Sequence, residues 1–103
     1  MGWLSLEVRY KTKQLEKVCT SRKEAVKKYN DNMAEKIFTR IGQIEATDSI
    51  DDLVKYSIGR CHSLSGNRNN QFAMDLVQPF RLVFINVGDT VHIAQIIEIT
   101  DYH

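Results

Sequence analysis

The sequence predicts an α+β fold, with an N-terminal strand, two to three helices and then an antiparallel meander, the helices packed on one face of the sheet. Three observations carry that prediction. "WLSLEVRY" (3–10) alternates apolar and polar residues with period two, apolar residues fall at helical spacing between 15 and 54, and the periodicity changes after Gly59. At 103 residues the chain makes one domain, 1–103, with a single core. A chain of this size buries roughly two-thirds of the surface exposed when unfolded and needs no staples.

In the first strand Leu4, Leu6, Val8 and Tyr10 share one face, and Ser5, Glu7 and Arg9 share the other. Leu15, Val18, Cys19, Val26 and Tyr29 then fall near helical spacing. The next helix is announced by Asn32 with Glu35 three residues on, a capping box, and by the buried stripe Met33, Ile37, Ile41 and Ile44. Ser49 with Asp52 repeats the capping signal ahead of Ile50, Leu53 and Val54, predicting one short further helix. After it, "RCHSL", "FAMDLV", "FRLVFI" and "TVHIAQIIEI" read as strands separated by "SGNRNNQ", "QP" and "NVGD". Pro79 lacks an amide hydrogen and belongs in a hairpin connection.

Net charge is +1, but it is unevenly spread. Residues 9–28 hold eight Lys or Arg (Arg9, Lys11, Lys13, Lys17, Arg22, Lys23, Lys27, Lys28) against two Glu, a net of +6. Such a stretch can contact phosphates, although on charge alone a solvated helix face is the simpler account. Cys19 and Cys61 form no CxxC and read as packing residues. The start lacks a long apolar leader, and no apolar stretch approaches the roughly 20 residues of a membrane span. A soluble, cytoplasmic protein is expected.

Arg81 sits mid-strand in "FRLVF". Phe80, Leu82 and Phe84 should meet the helices, which turns Arg81, Val83 and Ile85 to the other side. An Arg among apolar residues needs a partner or a wet cleft. Either it pairs with Asp75 on the adjacent strand, or it binds an anion on an open concave face. His62 alternates with Leu64, so either the strand bends there or His62 is a buried, satisfied histidine. Arg68 lies in the loop, and His92 reads as structural. Cys61 and His62 are adjacent on a strand, face opposite ways and make no metal pair; no second pair at ligand spacing exists, and no cofactor is expected. These residues suit anion or phosphate chemistry only loosely.

"RCHSLSGNRNNQFAMDLVQPFRLVF", followed by the terminal "EITDYH", resembles the HigB-like killer proteins of the RelE/ParE superfamily of type II toxin–antitoxin toxins. The shared pattern is a strand ending in His-x-Leu, a Gly-x-Arg loop, a hairpin with an aromatic-Arg-Leu strand, and a terminal Asp-Tyr-His; it spans nearly the whole chain. The resemblance implies a RelE-like fold and a metal-independent endoribonuclease that cuts messenger RNA in the ribosomal A site. A ribose 2′-hydroxyl would attack the adjacent phosphate, giving a 2′,3′-cyclic phosphate and a 5′-hydroxyl. That chemistry needs a base, an acid and cations around the phosphate. By the same resemblance His62 and His103 divide the acid and base roles, Arg81 holds the scissile phosphate, and Tyr102 supplies a stacking ring or a hydroxyl. Arg68 and Asp101 are implied on the substrate side, Arg68 by charge and Asp101 by orienting a histidine or fixing the chain end. A chain-terminal carboxylate near His103 would favour its imidazolium form and the acid role. The implied partners are a HigA-like antitoxin with a helix-turn-helix domain, messenger RNA on the ribosome, ribosomal RNA, and operator DNA only through the antitoxin.

One departure weakens phosphate contact: family members commonly carry a Lys after the loop Arg and often an Asp before it, where this chain reads "GNRNN". Two rival readings follow. A ParE-like gyrase poison needs no proton-handling set, so the histidines count against it. A catalytically weak homologue acting mainly through antitoxin binding is the other, and the altered loop leaves it open.

Overall fold

The computed structural model describes residues 6–66, 70–88 and 92–101. The chain runs β1 (Glu7–Tyr10), α1 (Lys13–Thr20), α2 (Arg22–Lys28), α3 (Asp31–Glu45), α4 (Ile50–Lys55), a 3-10 turn (Ile58–Arg60), β2 (His62–Ser63), β3 (Gln71–Asp75), β4 (Phe80–Asn86) and β5 (Ile93–Asp101). It is the α+β order the sequence predicts, with the first strand and the meander separated by helices.

The helices start where short polar side chains satisfy orphan amides. Thr12 caps α1 by accepting from Leu15 N, and Ser49 caps α4 by accepting from Asp52 N, as its spacing predicts. The cap of α3 is Asn30, whose Oδ1 accepts from Met33 N at 2.8 Å; Asn32 already lies inside the helix. The basic stretch holds two helices, not one. Ser21 ends the first by donating its N–H to Lys17 O and starts the second by accepting from Glu24 N. Its extended backbone breaks the run while leaving the helical spacing intact, which is why the periodicity does not reveal it. With α4 this makes four α-helices among the described residues, more than the two or three expected.

The sheet order is β1-β5-β4-β3-β2. Strands β2 to β5 form the expected antiparallel meander, but β1 pairs parallel to β5, so the sheet is mixed. Alternation specifies the face a strand buries, and not the direction of its neighbour. Leu6 is buried and Val8 and Tyr10 pack on the core, as expected of that face. Leu76, Val77, Gln78 and Pro79 connect β3 to β4, closed by Phe80 N–H donating to Val77 O at 2.8 Å.

Leu82, Phe84, Met74 and Ile96 from the sheet meet Met33, Ile37, Ile41 and Ile44 of α3, together with Ile50 and Leu53 of α4. Phe72 stacks on Phe84 at 5.6 Å, and Tyr29 meets Phe80 edge-on at 5.4 Å. Each such side chain contributes roughly 1.5–3 kcal/mol of burial. The β4–β5 ladder slips between Val83, which faces Glu98, and Phe84, which faces Ile96. Ile97 is the extra residue of this β-bulge, and its insertion puts Gln95, Glu98 and Thr100 on the face turned away from the helices.

Candidate functional site on the helix-free sheet face

Cross-strand partners share a face, so the register places side chains in rows. One row runs Asp75, Arg81, Thr100. The next runs His62, Ala73, Val83, Glu98. Gln71, Ile85, Gln95 and Arg9 form a third. Rows lie two residues apart along a strand, roughly 6–7 Å. His62 and Arg81 therefore stand in neighbouring rows of one face.

Ala73 and Val83 are fully buried although they face away from the helical core. Other side chains already cover both, so these two positions lie under the face and are not an open surface.

Asp75 is the hinge of the polar row. Only 9 % of the residue is exposed, and both carboxylate oxygens are engaged: Oδ2 by Arg60 Nε at 3.3 Å and Oδ1 by Arg81 Nε at 3.9 Å. Its backbone carbonyl accepts from Arg40 Nε at 2.6 Å, and Arg40 also donates to Gln43 Oε1 at 3.0 Å. Two guanidiniums thus flank the carboxylate, and a third holds the backbone of the same residue. The pairing of Arg81 with Asp75 that the sequence offered is present, and it is loose enough for Arg81 to keep a further interaction.

His62 resolves differently from either alternative in the sequence. It does share a face with Leu64, whose N–H donates to Gln71 O at 2.8 Å in continuation of the β2–β3 ladder, but that face is the helix-free one. His62 is only partly buried, and its Nδ1 lies 2.8 Å from Arg60 O. A carbonyl can only accept, so Nδ1 carries the hydrogen and the neutral ring presents Nε2 as a proton acceptor.

Asp101 ends β5 opposite Phe80, exposed, and by register on the other side of the sheet from Arg81. The structure does not bring it to His62. Arg68, Tyr102 and His103 lie outside the described residues. His92 points its Nδ1 at Asp48 O, 3.1 Å away, in keeping with a structural role. Burial pushes the Cys19 and Cys61 thiols up to about 12, so both are poor nucleophiles and packing residues, as read. All eight basic side chains between 9 and 28 are exposed.

Sequence reading passed over Arg60 and Arg40. Arg60 stands two residues before His62, and once the β2–β3 register is known that spacing alone brings it opposite Asp75. Arg40 gave no signal: it reaches Asp75 from a helix 35 residues earlier. No helix among the described residues is long and apolar enough to cross a membrane. No family model matches the chain, and no curated protein matches it.

Proposed function

We propose that this chain is the toxin of a type II toxin–antitoxin pair and acts as a ribosome-dependent messenger RNA endoribonuclease. The observation that carries the reading is the juxtaposition of His62, with Nε2 as its proton acceptor, and Arg81, one row away on the same sheet face. A phosphodiester held between His62 and Arg81 meets a cation at its non-bridging oxygens and a base near its 2′-hydroxyl. His62 takes the 2′-proton as the 2′-oxygen attacks phosphorus in line; the 5′-oxygen leaves and needs a proton from an acid. His103 is assigned that role by the sequence resemblance. Arg81 offsets the charge that grows on the equatorial oxygens. The exposed basic side chains of α1 and α2 supply phosphate contacts to ribosomal RNA.

Action on ribosomes puts the protein in the cytoplasm and calls for a neutralising antitoxin, with a helix-turn-helix domain by the same resemblance. Primer extension on a reporter message held by programmed ribosomes tests the reading. Cuts inside the A-site codon are expected with the wild-type protein, strongly reduced with His62→Ala and with Arg81→Ala. An uncut message with purified, folded wild-type protein rejects it.

A further inference from the structure

Arg60 engages one oxygen of the buried Asp75 carboxylate from a strained backbone. It adopts φ +58°, close behind Ser57 at +49° and Gly59 at +59°. Glycine takes this left-handed region at no steric cost, whereas a side chain there costs roughly 1–2 kcal/mol. The conformation is held by Arg60 N–H on Ser57 O and Cys61 N–H on Ile58 O. A long cationic residue kept in a place that suits glycine points to a use for its side chain.

That side chain reaches the same carboxylate as Arg81, from the opposite oxygen. Arg60 is 78 % exposed along its side chain and Arg81 27 %, so one guanidinium stands outermost and the other deeper on the same row. Asp75 carries one charge against the two guanidiniums it holds, and Arg81 keeps a further interaction besides. Asp75 also fixes the spacing: both guanidiniums are tied to oxygens of a single carboxylate that is itself buried and braced by Arg40. We infer that Arg60 and Arg81 form a two-arginine clamp for consecutive phosphates of single-stranded RNA, with Asp75 as the shared positioning residue. Resting on the nuclease reading above, Arg81 takes the scissile phosphate and Arg60 the phosphate next to it. The Arg60 carbonyl holds His62 at the same time, so one residue ties the neighbouring phosphate to the base.

Nε–Hε resonances of the arginines report this directly. The probe is hexauridylate with 2′-O-methyl groups throughout, which cannot be cut by 2′-oxygen attack. Titrated into the wild-type protein at low salt, it should shift the Arg60 and Arg81 signals along one saturation curve. Arg60→Asn, a residue that tolerates the left-handed backbone, should weaken binding about fivefold and lower the salt slope by about 0.7, one phosphate contact on a single strand. Arg60→Lys should recover part of the affinity, and it keeps the test open if the Asn variant does not fold. Lys36→Ala, which removes one cation from α3, should bind as wild type. An Arg60 signal that stays put while Arg81 moves, or an Arg60→Asn slope equal to wild type, overturns the clamp. Failure of the nuclease reading looks different: joint binding by both arginines with no cuts on ribosomes sinks that reading and leaves the clamp. A-site cuts with Arg60 stationary do the reverse.

Discussion

Arg60 O lies 2.8 Å from His62 Nδ1, and this one contact assigns the neutral imidazole its tautomer. Because the oxygen has no hydrogen to give, the ring must donate from Nδ1 and leave Nε2 with its lone pair outward. Two-bond nitrogen–proton correlation spectra of neutral His62 should show a protonated Nδ1. A protonated Nε2 would remove the base from the proposed reaction. On ribosomes, His62→Ala should lower the single-turnover rate by about 10²–10⁴, the usual contribution of a positioned base.

Asp75 should matter more for rate than for grip. Replacing it by Asn removes the charge that holds Arg60 and Arg81 in place and leaves the half-buried Arg81 without its carboxylate. Removing one partner of a fully buried pair costs about 3–5 kcal/mol; Arg81 and especially Arg60 are partly solvated, so about 1–2 kcal/mol is expected in urea unfolding. Binding of uncleavable RNA should hold or tighten, since a competing anion has gone, while single-turnover cleavage slows about tenfold or more. A variant that loses affinity and keeps its rate would refute Asp75 as the residue that aims the arginines.

Two glycines should respond in opposite senses to alanine. At Gly59 the backbone is left-handed, and an added Cβ would lie 2.8 Å from Arg40 Cδ and Nε. Arg40 cannot swing aside without losing its bond to Asp75 O. Gly59→Ala should therefore destabilise by about 1–2 kcal/mol or more and slow cleavage, by disturbing the brace under Asp75. Gly42 lies within α3 with open space around its would-be Cβ, so Gly42→Ala should stabilise by about 0.5–1 kcal/mol. Urea midpoints of the two variants against wild type check both signs.

Periodicity carried the sequence a long way toward this fold. The stripe Met33, Ile37, Ile41, Ile44 and the alternation Phe80, Leu82, Phe84 state which faces meet, and those residues do form the core. Alternation also put Arg81 on the far face. What it could not carry was pairing across distance. Nothing in "RCHSL" says that Arg60 O will face the His62 ring, because that depends on a left-handed backbone no local pattern demands. The β5 bulge does leave a trace: in "AQIIEIT" the alternation breaks at the Ile96-Ile97 doublet, and the extra Ile97 is what turns Glu98 and Thr100 to the Arg81 side. Arg40 reaches the site through tertiary packing alone.

Alkali should unfold this protein through its buried thiols. Burial pushes Cys19 and Cys61 from the ordinary value of 9.0 up to about 12, and it raises Tyr10 and Tyr29 as well, with Cys19 adding to both. Between pH 9 and 12 the unfolded chain loses thiol protons that the folded chain keeps. Folding stability is then fully present below pH 9 and falls as pH rises, by up to about 1.4 kcal/mol per pH unit for each thiol. The tyrosines add to the fall above their ordinary value of 10.0. Urea midpoints should be level from this source between pH 7 and 8.5 and should drop steeply by pH 10.5. Cys19→Ala should flatten the drop, at the cost of a small cavity beside Val18. At pH 8, iodoacetamide should modify neither thiol in the native protein and both after unfolding. Midpoints that stay level to pH 11, or prompt alkylation of the folded chain, would show that the thiols are less enclosed than the core packing requires.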